Sequence, residues 1–281
     1  MITVEDLAFS YTRKPFIEHM GFQVKSGEIF GFLGPSGAGK STLQKVLTGL
    51  LTDYRGSVMV NGTEVRKRDG TFYEDIGVDF EFPSLYEKLS ARENLQFFGS
   101  LYRTRLDPDE LLDRVGLMPD AQKRVSEYSK GMKSRLNFIK ALIHDPTILF
   151  LDEPTSGLDP SNARQMKDMI LELKDRGKTI LLTTHNMYDA TELCDRVAFI
   201  VDGQLKALDT PGNLIMSKGA TTLKYSYLHD GQIRTQEIDL AQTGEDPILT
   251  RLIRENRLLS VHSSEPTLND VFMELTGRVL Q

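Results

Sequence analysis

Between Gly34 and Thr42 the chain reads Gly34-Pro35-Ser36-Gly37-Ala38-Gly39-Lys40-Ser41-Thr42, a glycine-rich stretch closed by a lysine and two hydroxyls. A glycine, four residues, then Gly-Lys-Ser is the spacing of a phosphate-binding loop. Its glycines let backbone N–H groups close around phosphate oxygens, and a helix beginning there adds positive potential. Lys40 can reach β- and γ-phosphates, and the Ser41 hydroxyl can take a place on Mg²⁺. A second constellation, Ile148-Leu149-Phe150-Leu151-Asp152-Glu153, places two carboxylates at the end of an apolar run. Open α/β sheets bind ligands at the carboxyl ends of their strands, so both acids are expected to face the phosphate loop. Asp152 suits Mg²⁺, directly or through water, and Glu153 suits a base that polarises an attacking water. Tyr128-Ser129-Lys130-Gly131-Met132 stands about twenty residues before those acids. On spacing alone, a helix N-cap serine with a neighbouring glycine accounts for it.

The elements that must hold these residues alternate between strand and helix, which predicts an α/β fold with parallel strands. Short strands are expected at Ile2–Phe9, Gly21–Val24 and Glu28–Leu33, the last running straight into the glycine loop. The apolar spacing of Leu43, Val46, Leu47 and Leu50 then predicts a helix. Val58–Thr63 reads as a strand turning at Asn61-Gly62, a hairpin dipeptide. From about Lys88 to His144 the pattern is helical. Ser90-Ala91-Arg92-Glu93 has capping-box spacing, Asp107-Pro108 starts a second helix, and Met132, Leu136, Ile139 and Ile143 share one helix face. Strands resume at Thr147–Leu151, Thr179–Thr184 and Arg196–Val201, with a helix marked by Met166, Met169, Ile170 and Leu173 and ended by Gly177. Beyond Ser217 a hairpin around Asp230-Gly231, a short strand and two helices are expected to form a small appendage. The predicted organisation is a domain over 1–216, with a helical insert at about 88–145, and a small C-terminal accessory domain over 217–281.

Composition narrows the class. The 281 residues are 40% hydrophobic and 26% charged, which is ordinary globular usage and excludes a disordered or collagen-like chain. The net charge of −6 gives no global pull towards nucleic acid. The one cysteine, Cys194, allows no intrachain disulfide and fits a reducing compartment. The first residues lack a basic stretch followed by an apolar run, so a secretory signal is not expected. No apolar stretch approaches the ~18 residues of a membrane span. The cluster Arg66-Lys67-Arg68 is read as a solvated loop.

Together these residues resemble the ATP-binding cassette ATPases, the motor subunits of ABC transporters, from about residue 2 to residue 210. Gly34–Thr42 corresponds to the family's Walker A loop, Ile148–Glu153 to Walker B, and Tyr128–Met132 to the signature. Ser156-Gly157-Leu158-Asp159 matches the D-loop, Thr184-His185 the switch histidine, and Tyr11 the aromatic residue that stacks on adenine. The resemblance implies a P-loop NTPase core with an N-terminal antiparallel β-subdomain, a helical insert and a small α+β appendage. It implies ATP and Mg²⁺ as cofactors, with Ser41, Asp152 and Glu81 on the metal and Lys40, Glu81, Glu153 and His185 in catalysis. Pro35, Ser36, Gly37, Ala38 and Thr42 would line the nucleotide from one chain. Ser129, Gly131 and Asp159 would belong to the nucleotide site as completed by a head-to-tail partner, identical or different.

The sequence departs from the family pattern at three positions. Glu81 stands where the family carries the glutamine of its Q-loop; the expectation is that it still ligates Mg²⁺ but alters how hydrolysis couples to the partner. Lys130 and Met132 replace a glycine and the glutamine of the signature, adding a charge and removing a polar contact. The apolar loop Phe82-Pro83-Ser84-Leu85-Tyr86 is open to two readings, a grip on a membrane partner or packing against the chain's own helical insert. The implied partner is a separate transmembrane permease subunit, at the cytoplasmic face of the membrane and without nucleic acid. The tail Ser264–Gly277 resembles that of bacterial export-type ATPases of drugs and polysaccharides. A soluble cassette acting on ribosomes or DNA, and a degenerate non-hydrolysing cassette, are the competing readings.

Overall fold

The structure, a computed structural model, describes residues 1–12, 14–82, 84–217, 219, 222–264 and 266–277. Pro83 of the apolar loop and Glu265 of the tail lie outside the described residues. The chain divides into two compact units, one over Met1–Asp209 and one beginning at Thr210. The described residues of the second unit therefore start with the helix Pro211–Met216, a few residues before the expected boundary.

In the first unit, strands β1 (Ile2–Phe9) and β2 (Ile17–Val24) form an antiparallel hairpin. The second strand is longer than the expected Gly21–Val24: Met20, Phe22 and Val24 alternate inward, but an extra residue at Glu18-His19, where His19 takes φ +50°, separates them from the inward Ile17 and breaks the period. Strand β3 (Ile29–Leu33) leads into helix α1 (Lys40–Leu47). Strands β4 (Tyr54–Val60) and β5 (Thr63–Glu64) follow, then the short helix α2 (Phe72–Asp75) and strand β6 (Ile76–Asp79). The helical insert is α3 (Ala91–Gly99), α4 (Pro108–Arg114) and α5 (Lys130–Leu142). After it come β7 (Ile148–Asp152), α6 (Pro160–Asp175), β8 (Thr179–Thr184), α7 (Met187–Leu193), β9 (Arg196–Val201) and β10 (Gln204–Asp209).

These strands make a four-stranded antiparallel sheet, ordered β2-β1-β4-β5, and a six-stranded sheet, ordered β10-β9-β3-β8-β7-β6. All neighbours in the second sheet are parallel except β10 against β9. Its central strands β3, β7 and β8 are buried along their whole length, as strands covered on both faces must be. One apolar core joins the two sheets through Leu43, Val46 and Leu47 of α1, with Phe22, Phe30 and Phe32 packed ring to ring at 5.2–5.8 Å. Ser90 closes a capping box with Glu93, and Asp107 caps α4 ahead of Pro108, as their spacing had indicated.

The cluster Arg66-Lys67-Arg68, expected as a solvated loop, is exposed at Arg66 and Lys67 but is also tied to the sheet. Arg66 donates to Glu64 and to the carbonyls of Tyr54 and Gly56, and its guanidinium lies 4.7 Å from the centre of the Tyr54 ring. A turn of 3₁₀ helix over Val65–Lys67 aims it back across the sheet, so this arginine pins the end of β4.

The second unit contains α8 (Pro211–Met216), the antiparallel strands β11 (Thr222–His229) and β12 (Gln232–Asp239), α9 (Pro247–Arg254), β13 (Leu258–Ser263) and α10 (Leu268–Thr276). The sheet order is β12-β11-β13, and Tyr225, Tyr227, Leu249 and Leu252 form a small core of its own. Among the described residues no helix is long and apolar enough to cross a membrane.

Candidate active site

Three parallel strands converge on the site. Strand β3 delivers the glycine loop, β7 delivers Asp152 and Glu153, and β8 delivers Thr183, Thr184 and His185 at the same carboxyl edge. Gly34 has no room for a side chain: a Cβ there would stand 2.1 Å from the Ile200 carbonyl oxygen of β9. Gly39 takes φ +112° as the residue that opens α1, a conformation L side chains avoid. The loop can therefore turn tightly and present its N–H groups only with these residues.

A cleft of about 270 Å³ lies along this edge, with Ser36, Gly37, Gly39, Lys40, Ser41 and Thr42 on one side. Glu81, Asp152, Glu153, Ser156 and His185 face it from the other, and Phe16 closes one end. Lys40 curls onto its own loop, its ammonium donating to the carbonyls of Gly34 (2.6 Å) and Pro35 (3.2 Å). Burial lowers its pKa, and the Glu153, Asp152 and Glu81 carboxylates partly offset that shift. The amine is thus stored against weak acceptors, where a phosphate oxygen would be a stronger one.

Asp152 is buried and shared: Ser41 Oγ donates to it at 3.4 Å, and Thr183 Oγ1 makes a short hydrogen bond to its other oxygen. Glu153 has both carboxylate oxygens engaged, one accepting from Thr184 Oγ1 at 3.2 Å and one 2.8 Å from His185 Nδ1. It also has φ +52°, a left-handed backbone that a non-glycine residue adopts only at a local energetic cost. The β7–β8 register explains the pairing: Asp152 lies opposite Thr183, so Glu153 reaches the next residue, Thr184, and then His185. The arrangement offers a positioned carboxylate–imidazole pair beside a cationic phosphate cradle, the elements of water activation against a phosphoryl group.

The metal donors are oxygen throughout. Among the described residues no group of three or more His, Cys, Asp or Glu side chains forms a protein cage for a metal. Ser41 and Asp152 in hydrogen-bond contact, with Glu81 across the same cleft, instead fit Mg²⁺, which takes one or two protein carboxylates and completes its shell with phosphate oxygens and water.

The remaining candidate residues lie elsewhere. Tyr11 stands in an adjoining pocket with Lys14, Phe16 and Gly37, edge-on to Phe9 at 4.8 Å, its hydroxyl 3.0 Å from Thr42 Oγ1. Ser129 and Gly131 open α5 outside the cleft, and Ser129 Oγ accepts from the Met132 N–H. Gly131 has no neighbour of its own chain that excludes a side chain, since an added Cβ would make only ordinary contact, 3.6 Å from Leu158 Cδ2. Asp159 caps α6, accepting from the N–H groups of Ser161 and Asn162 and from the Asn162 side chain, which holds its carboxyl below the usual range. Phe16, Ser156, Thr183 and Thr184 also line or brace the site. The threonines were visible in sequence as a polar ending to an aliphatic strand, and Ser156 as the first residue of the D-loop match; Phe16 carried no signal of its own. In the apolar loop, Tyr86 packs on Phe97 and Phe98 of the insert, while Phe82 is 80% exposed.

The family model described as ABC transporter matches residues 17–156. A fluoroquinolones export ATP-binding protein of Mycobacterium tuberculosis is 50% identical over all of this chain and 94% of its own length. The chain belongs to the ABC transporter ATP-binding proteins. A Nod factor export ATP-binding protein of Rhizobium meliloti is 38% identical over all of this chain and 89% of its own. A solved structure of the ATP-binding subunit of an ABC transporter superposes with a TM-score of 0.72 at 30% identity, covering 78% of this chain and 93% of that one. As an ABC ATPase of the export type, the protein binds ATP and hydrolyses it.

Proposed function

We propose that the chain is the motor subunit of an exporter. It pairs head to tail with a second ATPase subunit, encloses Mg-ATP between the two, and drives a separate transmembrane permease from the cytoplasmic face of the membrane. The observation that carries this reading is a division of the site residues. Lys40, Ser41, Asp152, Glu153 and His185 meet in one cleft, whereas Ser129 and Gly131 open a helix outside it. Gly131 makes no contact within its own chain that excludes a side chain, which leaves the start of α5 open for a γ-phosphate held by a partner.

In that assembly Lys40 exchanges its loop carbonyls for phosphate oxygens, and the N–H groups at the start of α5 add the positive end of a helix. Ser41, Asp152 and Glu81 would hold Mg²⁺, which when bound neutralises charge on the β- and γ-phosphates. Glu153, steadied by Thr184 and His185, takes the proton of the attacking water. Tyr11 offers its ring to adenine, and Asp159 sets the start of α6 near the partner. The second unit serves as an accessory domain. The cargo is a property of the permease; the relatives' names cover export of fluoroquinolones and of Nod factor.

The test is ATP turnover by the purified chain and by Glu153→Gln, together with the membrane protein that copurifies. Turnover is expected to fall by about 10²–10⁴-fold in the variant, the range of a positioned general base. Equal near-zero rates in both would favour a non-hydrolysing cassette, and copurification with ribosomes or DNA would favour the soluble reading.

A further inference from the structure

Helix α5 has a polar residue at the centre of its buried face. Leu136, Phe138 and Ile139 are fully buried there, and so, at 1% exposure, is Asn137. A buried amide is tolerated only if its hydrogen bonds are made, and here they reach one segment of chain. Asn137 Nδ2 donates to the Asp79 carboxylate at the end of β6 and to the Phe80 carbonyl at 3.0 Å. Its Oδ1 accepts from Lys140 Nζ at 2.6 Å, and Lys140 also reaches the Ser84 carbonyl at 3.4 Å. The Lys140 ammonium sits 5.2 Å from the centre of the Phe98 ring, the ring on which Tyr86 stacks. Asn94 fixes both backbone groups of Tyr86, at 2.8 and 3.0 Å. The loop is thus grasped on both sides of Glu81 and Phe82, which are themselves exposed.

We propose that Asn137 and Lys140 are positioning residues that clasp the Glu81 loop to α5, so that the loop moves with the helix whose first turn carries Ser129 and Gly131. The inference rests on the reading of Glu81 as a Mg-ATP ligand and of α5 as the arm that meets the partner's nucleotide. Asn137 lies two turns from Lys130, roughly 10 Å along one rigid rod. Apolar side chains at 79 and 137 would fill the same space with no polar group to desolvate. What hydrogen bonds add is direction: they fix the Phe80 and Ser84 carbonyls, and with Phe80 the backbone that leads into Glu81, relative to the helix axis. Seating a phosphate at the start of α5 would then be felt at the metal of the opposite site through this clasp.

The chain contains no tryptophan, so Phe82→Trp gives a single reporter on the loop. In the Glu153→Gln, Phe82→Trp protein, Mg-ATP is expected to shift the emission. The shift is expected to persist with Lys140→Arg and to be lost with Lys140→Met and with Asn137→Ala. In turnover assays on the full chain, Asn137→Ala is expected to lower kcat about ten-fold with KM within about two-fold, and to change kcat less than about two-fold when Glu81 is already alanine. A residue that merely stabilises the fold would give the same loss in both backgrounds and leave the reporter responsive in the folded variants. Either result overturns the clasp, as does a reporter that never responds. If Asn137→Ala does not fold, Lys140→Met carries both measurements. A wild-type chain without turnover would instead overturn the ATPase reading beneath it.

Discussion

Lys40 illustrates how a single residue in this site is held ready. Its ammonium is partly buried, faces Glu153, Asp152 and Glu81, and rests on two carbonyls of its own loop. Replacing those neutral acceptors by phosphate oxygens sets the ammonium against full negative charge, and hydrogen bonds to charged groups are worth about 1.5–3 kcal/mol each. Lys40→Ala is therefore expected to weaken Mg-ATP binding by about ten-fold or more in calorimetry while leaving the melting temperature near that of the wild type. Unchanged affinity would remove Lys40 from the nucleotide site. Most of this chemistry was legible in residue type and spacing, because a phosphate loop needs glycine, lysine and hydroxyl at fixed separations. The braces were less so. Thr183 and Thr184 support Asp152 and Glu153 through strand register, and register is not written in either strand alone. The left-handed turn at Glu153 had no sequence signal either, since glutamate, unlike asparagine or aspartate, is not enriched in that conformation.

At the scale of elements, α5 presents two faces to two different demands. Its start is capped by Ser129, and Gly131 within its first turn lies where alanine fits without a clash. Alanine is favoured over glycine in a helix by roughly 0.5–1 kcal/mol. Gly131→Ala is accordingly expected to leave the isolated chain as stable or slightly more so, while ATP turnover falls several-fold. Loss of stability with turnover intact would mean that the glycine serves its own chain.

The strand that precedes the Glu81 loop has a different sensitivity. His144 is buried, stacks on Tyr102 at 3.8 Å, and is 2.9 Å from the Ile76 carbonyl through Nε2. Its Nδ1 has no hydrogen-bond partner among the described residues, and burial lowers its pKa below the usual 6.5. The unfolded chain takes up a proton near pH 6.5 that the folded protein refuses, so stability is complete above that pH and is lost as pH falls below it. The urea midpoint is expected to drop more between pH 7.5 and 5.5 in wild type than in His144→Gln; parallel drops would contradict this. Hairpin positions were the most legible elements, since Asn61-Gly62 and Asp230-Gly231 both take the positive φ pair their dipeptides favour. The start of β2 was less so, because the irregularity at Glu18-His19 interrupts the alternation of inward residues.

For the whole molecule, the central claim is that one chain holds an incomplete site. The phosphate cradle, the acids and His185 are assembled within the first unit, and Ser129 and Gly131 at the start of α5 lie outside that cleft. That division could not be read from motif order, which places the signature between the loop and the acids without saying where it lies in space. The most direct measurement is the solution mass of the Glu153→Gln protein, by sedimentation, with and without ATP and Mg²⁺. The account requires a monomer without nucleotide and twice that mass with Mg-ATP, reverting when Ser129 or Gly131 is replaced by a bulky residue. A Glu153→Gln chain that binds Mg-ATP to saturation and stays monomeric would contradict it.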